Sequence, residues 1–130
     1  MTNIVRLKIL SESLSPDEIS ERIGLPPSRS WSKGESDRKK ASLNMAKWNG
    51  WIYDSGRSAD VSLADQVASL LHALEPMQNN IRDISGLCDV AISVVSYSNP
   101  DKSIFLSKDL VALIAALGAH FDLEMCDAGD

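Results

Sequence analysis

The sequence has little of the residue types from which metal sites are built. Its 130 residues include two cysteines and two histidines, and these four residues stand singly along the chain. A zinc site needs three or four Cys or His ligands at close spacing, so no metal site is expected. In a reducing compartment, Cys88 and Cys126 are predicted to be reduced, half-buried thiols rather than a disulfide.

Other motifs that carry chemistry are missing as well. The sequence contains no Walker or GxGxxG loop for phosphates and no G-x-S-x-G elbow for a nucleophilic serine. His72 falls beside the apolar stripe of a predicted helix, and His120 begins a predicted strand next to Asp122, which indicates a surface position. Asp122, Glu124 and Asp127 are interpreted as a charged strand face that discourages edge-to-edge aggregation. The sequence therefore predicts a protein that is not an enzyme and uses no cofactor.

Long apolar runs are also absent. No stretch approaches the roughly 18 apolar residues of a membrane span, and the polar residues of MTNIVRLKILSESLSPDE come too early for a signal peptide. We therefore expect a cytoplasmic protein with no membrane association. A chain of 130 residues that is 44% hydrophobic and 24% charged matches one globular domain, residues 1–130, with a core that needs no disulfide.

Charge is unevenly distributed along the chain. Residues 28–47 hold six basic and two acidic residues, a local charge of +4, whereas the whole chain carries −5 and the remainder therefore −9. The protein as a whole should repel nucleic acid and membrane surfaces, which argues against nucleic-acid binding. Only the segment 28–47 is suited to attract an anionic partner.

Cap and turn residues mark the helices. Ser15 is placed as an N-cap, Glu18 completes a capping box, and Gly24 suits the left-handed residue beyond the helix end. Apolar spacing predicts a second helical region over 62–84, interrupted by a proline, and a third helix over 107–118.

Alternating apolar residues mark the strands. NIVRLKIL opens the sheet, CDVAISVVSYS has the composition of a central strand, NPDK turns the chain, SIFL is a candidate for a short extra strand, and HFDLEMCD suits an edge. The resulting order is β-α-β-β-α-β-(β)-α-β. It predicts an α+β two-layer sandwich, a mainly antiparallel sheet with its helices on one face, related to the ferredoxin-like plan.

A hairpin is predicted over residues 28–56, and two registers fit it. Either a long hairpin turns within residues 34–42, or a tight one turns at Asn49-Gly50, which is a strong hairpin signal. We favour the long hairpin, because the tight one leaves only Trp51 to Asp54 for the return strand. In the long hairpin, Asn49-Gly50 is expected to form a bulge.

The hairpin also carries the candidate binding residues. Their aromatic and cationic side chains suit an anionic partner or a stacked base. The alternative is that the tryptophans, as the largest apolar groups of the chain, fill the core between sheet and helices. The candidate partner-binding residues are Trp31, Lys33, Arg38, Trp51 and Tyr53.

The chain resembles a bacterial family, the domain of unknown function 4279 (DUF4279). The resemblance rests on LSPDEISERIGLPPSRSWSKGE, WIYDS and LSKDLVALIAALGAHFDLEM, and it covers nearly the whole chain. The chain departs from the pattern at Ile23-Gly24-Leu25, where Leu-Gly-Leu is usual, and at Cys126, where an aromatic residue is more common. These motifs are structural, and the resemblance implies no catalytic residue. Small bacterial domains of this kind suggest, by analogy, immunity proteins that neutralise a toxin.

Two functions of different classes follow from these observations. The first is a non-enzymatic binding protein, of the immunity type or otherwise, that presents the hairpin to an unknown protein partner. The alternative is a small-molecule or nucleotide-binding domain with a cleft between the hairpin and the last strand, lined by Lys33, Arg38, Trp51 and His120. An exposed hairpin edge also makes a homodimer as plausible as a monomer.

Overall fold

The structure is a computed structural model that describes residues 3–34, 47–54, 62–97 and 104–126. Its strands are β1 (Asn3–Ser11), β2 (Arg29–Trp31), β3 (Asn49–Asp54), β4 (Asp89–Tyr97) and β5 (His120–Cys126). Its helices are α1 (Pro16–Ile23), α2 (Leu63–Leu74), α3 (Gln78–Ile84) and α4 (Lys108–Ala116), and a 3-10 turn, Glu75–Met77, joins α2 to α3.

The first strand lies in the middle of the sheet. Val5, Leu7 and Ile9 are buried on one face of β1, and Arg6 and Lys8 alternate with them on the other. The strand order is β2-β3-β1-β4-β5, with β4 and β5 parallel and every other neighbouring pair antiparallel. The sheet is thus mixed, and its one parallel pair results from the crossover through α4.

The helices pack on the face of the sheet that carries Val5, Leu7 and Ile9. The buried core unites these side chains with apolar residues of all four helices and with Trp51 of β3. The predicted α+β fold with helices on one face is therefore confirmed. In the second helical region, Pro76 falls within the 3-10 turn and Ile81 of α3 is buried, as the periodicity indicates.

Local capping signals act as the sequence predicts. Glu18 N–H donates to the Ser15 hydroxyl at 3.2 Å, and Ser15 N–H donates to the Glu18 carboxylate at 3.1 Å, which completes the capping box of α1. Gly24 ends this helix with a φ of 85°, in the left-handed region where a side chain is disfavoured. At the start of α4, the Ser107 hydroxyl acts as the N-cap and accepts a hydrogen bond from Leu110 N–H at 3.3 Å.

Two local predictions are wrong. Asn49-Gly50 forms neither a turn nor a bulge, because Gly50 lies in regular register between Trp31 of β2 and Leu10 of β1. β2 and β3 pair antiparallel as the long hairpin requires, and all but the first residue of its predicted turn, 34–42, lies outside the described residues. Residues 104–107, which include most of the SIFL segment, are not in a strand. The turn predicted at NPDK lies outside the described residues.

None of the helices within the described ranges is long and apolar enough to cross a bilayer.

Candidate functional site

Hydrogen bonds join the two strands of the hairpin to each other, and one joins the hairpin to the turn before α1. Ser28 N–H donates to the Ile52 carbonyl at 2.7 Å, and the Ser28 hydroxyl accepts from Asp54 N–H at 3.0 Å. At the other end, the Asn49 side chain accepts from Lys33 N–H at 2.7 Å and donates to the Leu14 carbonyl at 2.9 Å. The end of the strand pair that lies toward the hairpin loop is thus tied to the turn between β1 and α1.

Trp51 faces away from solvent and belongs to the core. Its side chain is fully buried, and its indole N–H donates to the Ser20 hydroxyl of α1 at 2.8 Å. Tyr53, two residues later on the same strand face, is half-buried against the same core. The alternative in which tryptophan fills the core therefore describes Trp51, whose side chain is not available to a partner.

Trp31 lies on the opposite face of the sheet, flat against the backbone of β3. A Cβ atom built on Gly50 would overlap the Trp31 indole, so the absence of a side chain at Gly50 makes room for the ring. The Arg29 guanidinium lies over this indole, with its central carbon 5.5 Å from the ring centroid, within cation–π range. Trp31 is half-buried, whereas Arg29 is exposed.

Trp48 is the fourth aromatic residue of this region, and it is not among the binding residues predicted from the sequence. Its side chain is 40% exposed, next to the exposed Lys47 and directly before β3. Lys33 is also exposed. The hydrogen bond from its backbone N–H to the side chain of Asn49 places Lys33 close to Trp48, the residue before Asn49. We call Arg29, Trp31, Lys33, Lys47 and Trp48 the hairpin patch. The one signal for Trp48 in the sequence was its position directly after Lys47, and nothing in the sequence indicated that its side chain is exposed.

The other candidate residues do not join this patch. Arg38 lies outside the described residues, as does Asp127. His120 is in β5, at the opposite edge of the sheet from β2, and four strand spacings separate the two edges by roughly 19 Å. Lys33, which follows β2, and His120 therefore lie at opposite edges of the sheet.

The histidines occupy exposed positions. His120 Nε2 lies 3.3 Å from the Asp89 carboxylate, and both side chains are largely exposed, a geometry that contributes little to stability. His72 is exposed on α2. Cys88 is half-buried against the core as a free thiol. Within the described part of the chain, no group of three or more His, Cys, Asp or Glu side chains is arranged to hold a metal ion.

These features define a small two-layer α+β domain with a cationic and aromatic hairpin at one sheet edge. The chain belongs to the DUF4279 family, a domain of unknown function, whose family model matches residues 1–128. The resemblance noted from the sequence is thus confirmed over nearly the whole chain. A search of curated proteins and a search of solved structures each find no match.

The contact between Trp31 and Gly50 gives a testable prediction. In Gly50→Ala the new methyl group displaces the indole, and we expect a loss of about 1–2 kcal/mol in the free energy of unfolding. Tryptophan emission should also shift to the red and become easier to quench with acrylamide. Gly86→Ala is the control, because its new Cβ meets nothing closer than 3.8 Å. Equal unfolding curves and spectra for the two variants would show that the ring does not rest on Gly50.

Proposed function

We propose that this protein is a non-enzymatic binding protein of the bacterial cytoplasm, and that the hairpin patch is its contact surface for an acidic protein partner. The observation that carries the proposal is Trp48, a large aromatic side chain left 40% exposed among cations. Its neighbours Lys33 and Lys47 belong to a segment of charge +4 in a chain of charge −5. An acidic partner would therefore be attracted to this part of the molecule.

The composition of the hairpin patch supports the proposal. Trp and Arg are the residue types that most often dominate binding energy, commonly 2 kcal/mol or more at one position. The Trp31 ring already rests on the Gly50 backbone and is covered by Arg29. Partner binding therefore costs little side-chain conformational entropy at this residue. The Asn49 side chain joins the backbone at Lys33 to the turn before α1, which favours a preformed surface.

Within this proposal, the partner is a toxin that the protein neutralises. An immunity-type inhibitor needs no catalytic group of its own, only a rigid surface that covers a functional region of the toxin. A hairpin at a sheet edge that carries Trp31 and Arg29 on the face opposite to Trp51 is suited to such covering. The alternative of a small-molecule or nucleotide cleft has less support, because Trp51 is in the core and His120 lies at the far sheet edge.

The test is a pull-down from the native host at modest ionic strength with three forms of the protein. We expect the wild type to retain a protein partner and Lys33→Ala/Trp48→Ala to retain at least tenfold less, since one hot spot is worth about 2 kcal/mol. Arg22→Ala/Leu87→Ala is the matched control, because it also removes one exposed cation and one exposed apolar side chain. Capture that is absent from the wild type, or equal in the two variants, would refute the proposal.

A further inference from the structure

A second surface lies at the opposite edge of the sheet. β5 pairs with β4 on one side only, and no other strand of the described residues borders it. Among the described residues no strand pairs with its outer backbone N–H and C=O groups, and such an edge is the basis of recognition by strand addition. We propose that this edge binds an extended segment of a partner protein in which basic and apolar side chains alternate. The proposal is independent of the hairpin patch and of the function proposed above.

The face of β5 that points away from the helices is acidic. Asp122 and Glu124 are both exposed there. Their neighbours on β4 are Ser93 and Val95, which carry no charge, and no ion pair joins either carboxylate to another described residue. Lys or Arg side chains of an added strand would lie directly opposite these carboxylates, at the distance where cross-strand charge pairs stabilise a sheet.

The other face of β5 is apolar and incompletely covered. Phe121 and Leu123 are half-buried against the core, and Met125 is 44% exposed. Met125 pairs with Ser96 near the end of β4, and the chain continues from that end of β4 to the start of α4. The topology therefore brings Phe105, which is 80% exposed, and Val111, which is 53% exposed, to the same end of the molecule as Met125.

These two faces specify the chemistry of the added strand. On one side it requires cations opposite Asp122 and Glu124, and on the other it requires apolar side chains that extend the layer formed by Phe121, Leu123 and Met125. β1 shows that this sheet accommodates such a strand, because Arg6 and Lys8 alternate there with buried aliphatic residues. Alternation of this kind follows from the two-residue period of a strand.

A second copy of the chain fits this edge poorly. If two β5 strands paired antiparallel about residue 123, Asp122 of each copy would lie opposite Glu124 of the other. Centring the pair on residue 122 or 124 instead places a carboxylate opposite its own copy. Like charges directly opposite one another destabilise a strand pair. Charge therefore favours a basic segment over self-association.

The experiment uses a fluorescein-labelled peptide of alternating valine and lysine, as long as the seven residues of β5. We expect saturable binding in fluorescence anisotropy, with affinity about tenfold lower for Asp122→Lys/Glu124→Lys, since two attractive pairs become repulsive. A peptide with glutamate in place of lysine should bind this charge-reversed variant better than it binds the wild type. A peptide with a central proline should lose most binding, because proline removes a backbone donor.

Matched controls separate edge binding from general attraction to an acidic protein. Glu21→Lys/Glu75→Lys makes the same change in net charge at exposed positions outside β5, and should bind like the wild type. Trp48→Ala should also bind like the wild type, which distinguishes this edge from the hairpin patch. The proposal is refuted if binding does not saturate by about 1 mM peptide, if both charge variants weaken it equally, or if the proline peptide binds as well.

Discussion

Replacing Trp51 by alanine is expected to lower the free energy of unfolding by about 3–5 kcal/mol. The side chain is fully buried where β3, the centre of the sheet and α1 meet, and alanine leaves a cavity that a packed core closes only partly. A loss of this size is a large part of the about 5–15 kcal/mol that stabilises a typical domain. Urea denaturation followed by far-UV circular dichroism measures it, and should give a strongly reduced midpoint.

Two further variants help to interpret this loss: one removes the hydrogen bond of the Trp51 indole, and the other is a surface control. Ser20→Ala removes the acceptor of the Trp51 indole N–H and leaves that donor unsatisfied, at an expected cost of about 1–3 kcal/mol. Trp48→Ala, on the exposed side of the hairpin, should change stability by no more than about 0.5 kcal/mol. If Trp48→Ala were the more damaging tryptophan substitution, the division between core Trp51 and surface Trp48 would be incorrect.

The sequence predicted those elements whose signals are local. Ser15 and Glu18 lie three residues apart, and each side chain accepts a hydrogen bond from the backbone N–H of the other. Their spacing in the sequence was therefore sufficient to predict the capping box. Alternation similarly gave the buried face of β1 and the shared face of Trp51 and Tyr53. In each case the interacting groups lie within one turn or one strand, and no distant part of the chain changes the outcome.

Features that depend on distant parts of the chain were not predictable. Asn49-Gly50 is a strong turn signal in isolation, yet Leu10 of β1 and Trp31 of β2 pair with Gly50 on its two sides and keep it extended. The glycine is needed there for the approach of an indole, which no local pattern reveals. Strand order is equally non-local. It places His120 and the hairpin with Lys33 at opposite edges of the sheet, which no local pattern in the sequence indicates.

Gly118→Ala is expected to be the most damaging glycine substitution among those with described surroundings, with a loss of about 2–4 kcal/mol. Two effects combine at this position. Gly118 ends α4 with a φ of 71°, where an L-residue is strained. A Cβ at this position would also overlap the Ser85 hydroxyl and lie 2.8 Å from the Ser85 Cβ, at the junction between the ends of α3 and α4. Thermal and urea unfolding of the variant measure the loss.

Gly24→Ala separates the two effects. Gly24 has a similar φ of 85°, but a Cβ there meets nothing within 4 Å, so this variant should show backbone strain alone, about 1 kcal/mol. Ser85→Gly should relieve the contact in Gly118→Ala, and a double-mutant cycle should give a favourable coupling of about 1–3 kcal/mol. Equal losses for Gly24→Ala and Gly118→Ala, with no coupling to Ser85, would mean that the ends of α3 and α4 are not packed as described. The coupling therefore tests the α3–α4 junction itself, a non-local contact two residues before the start of β5.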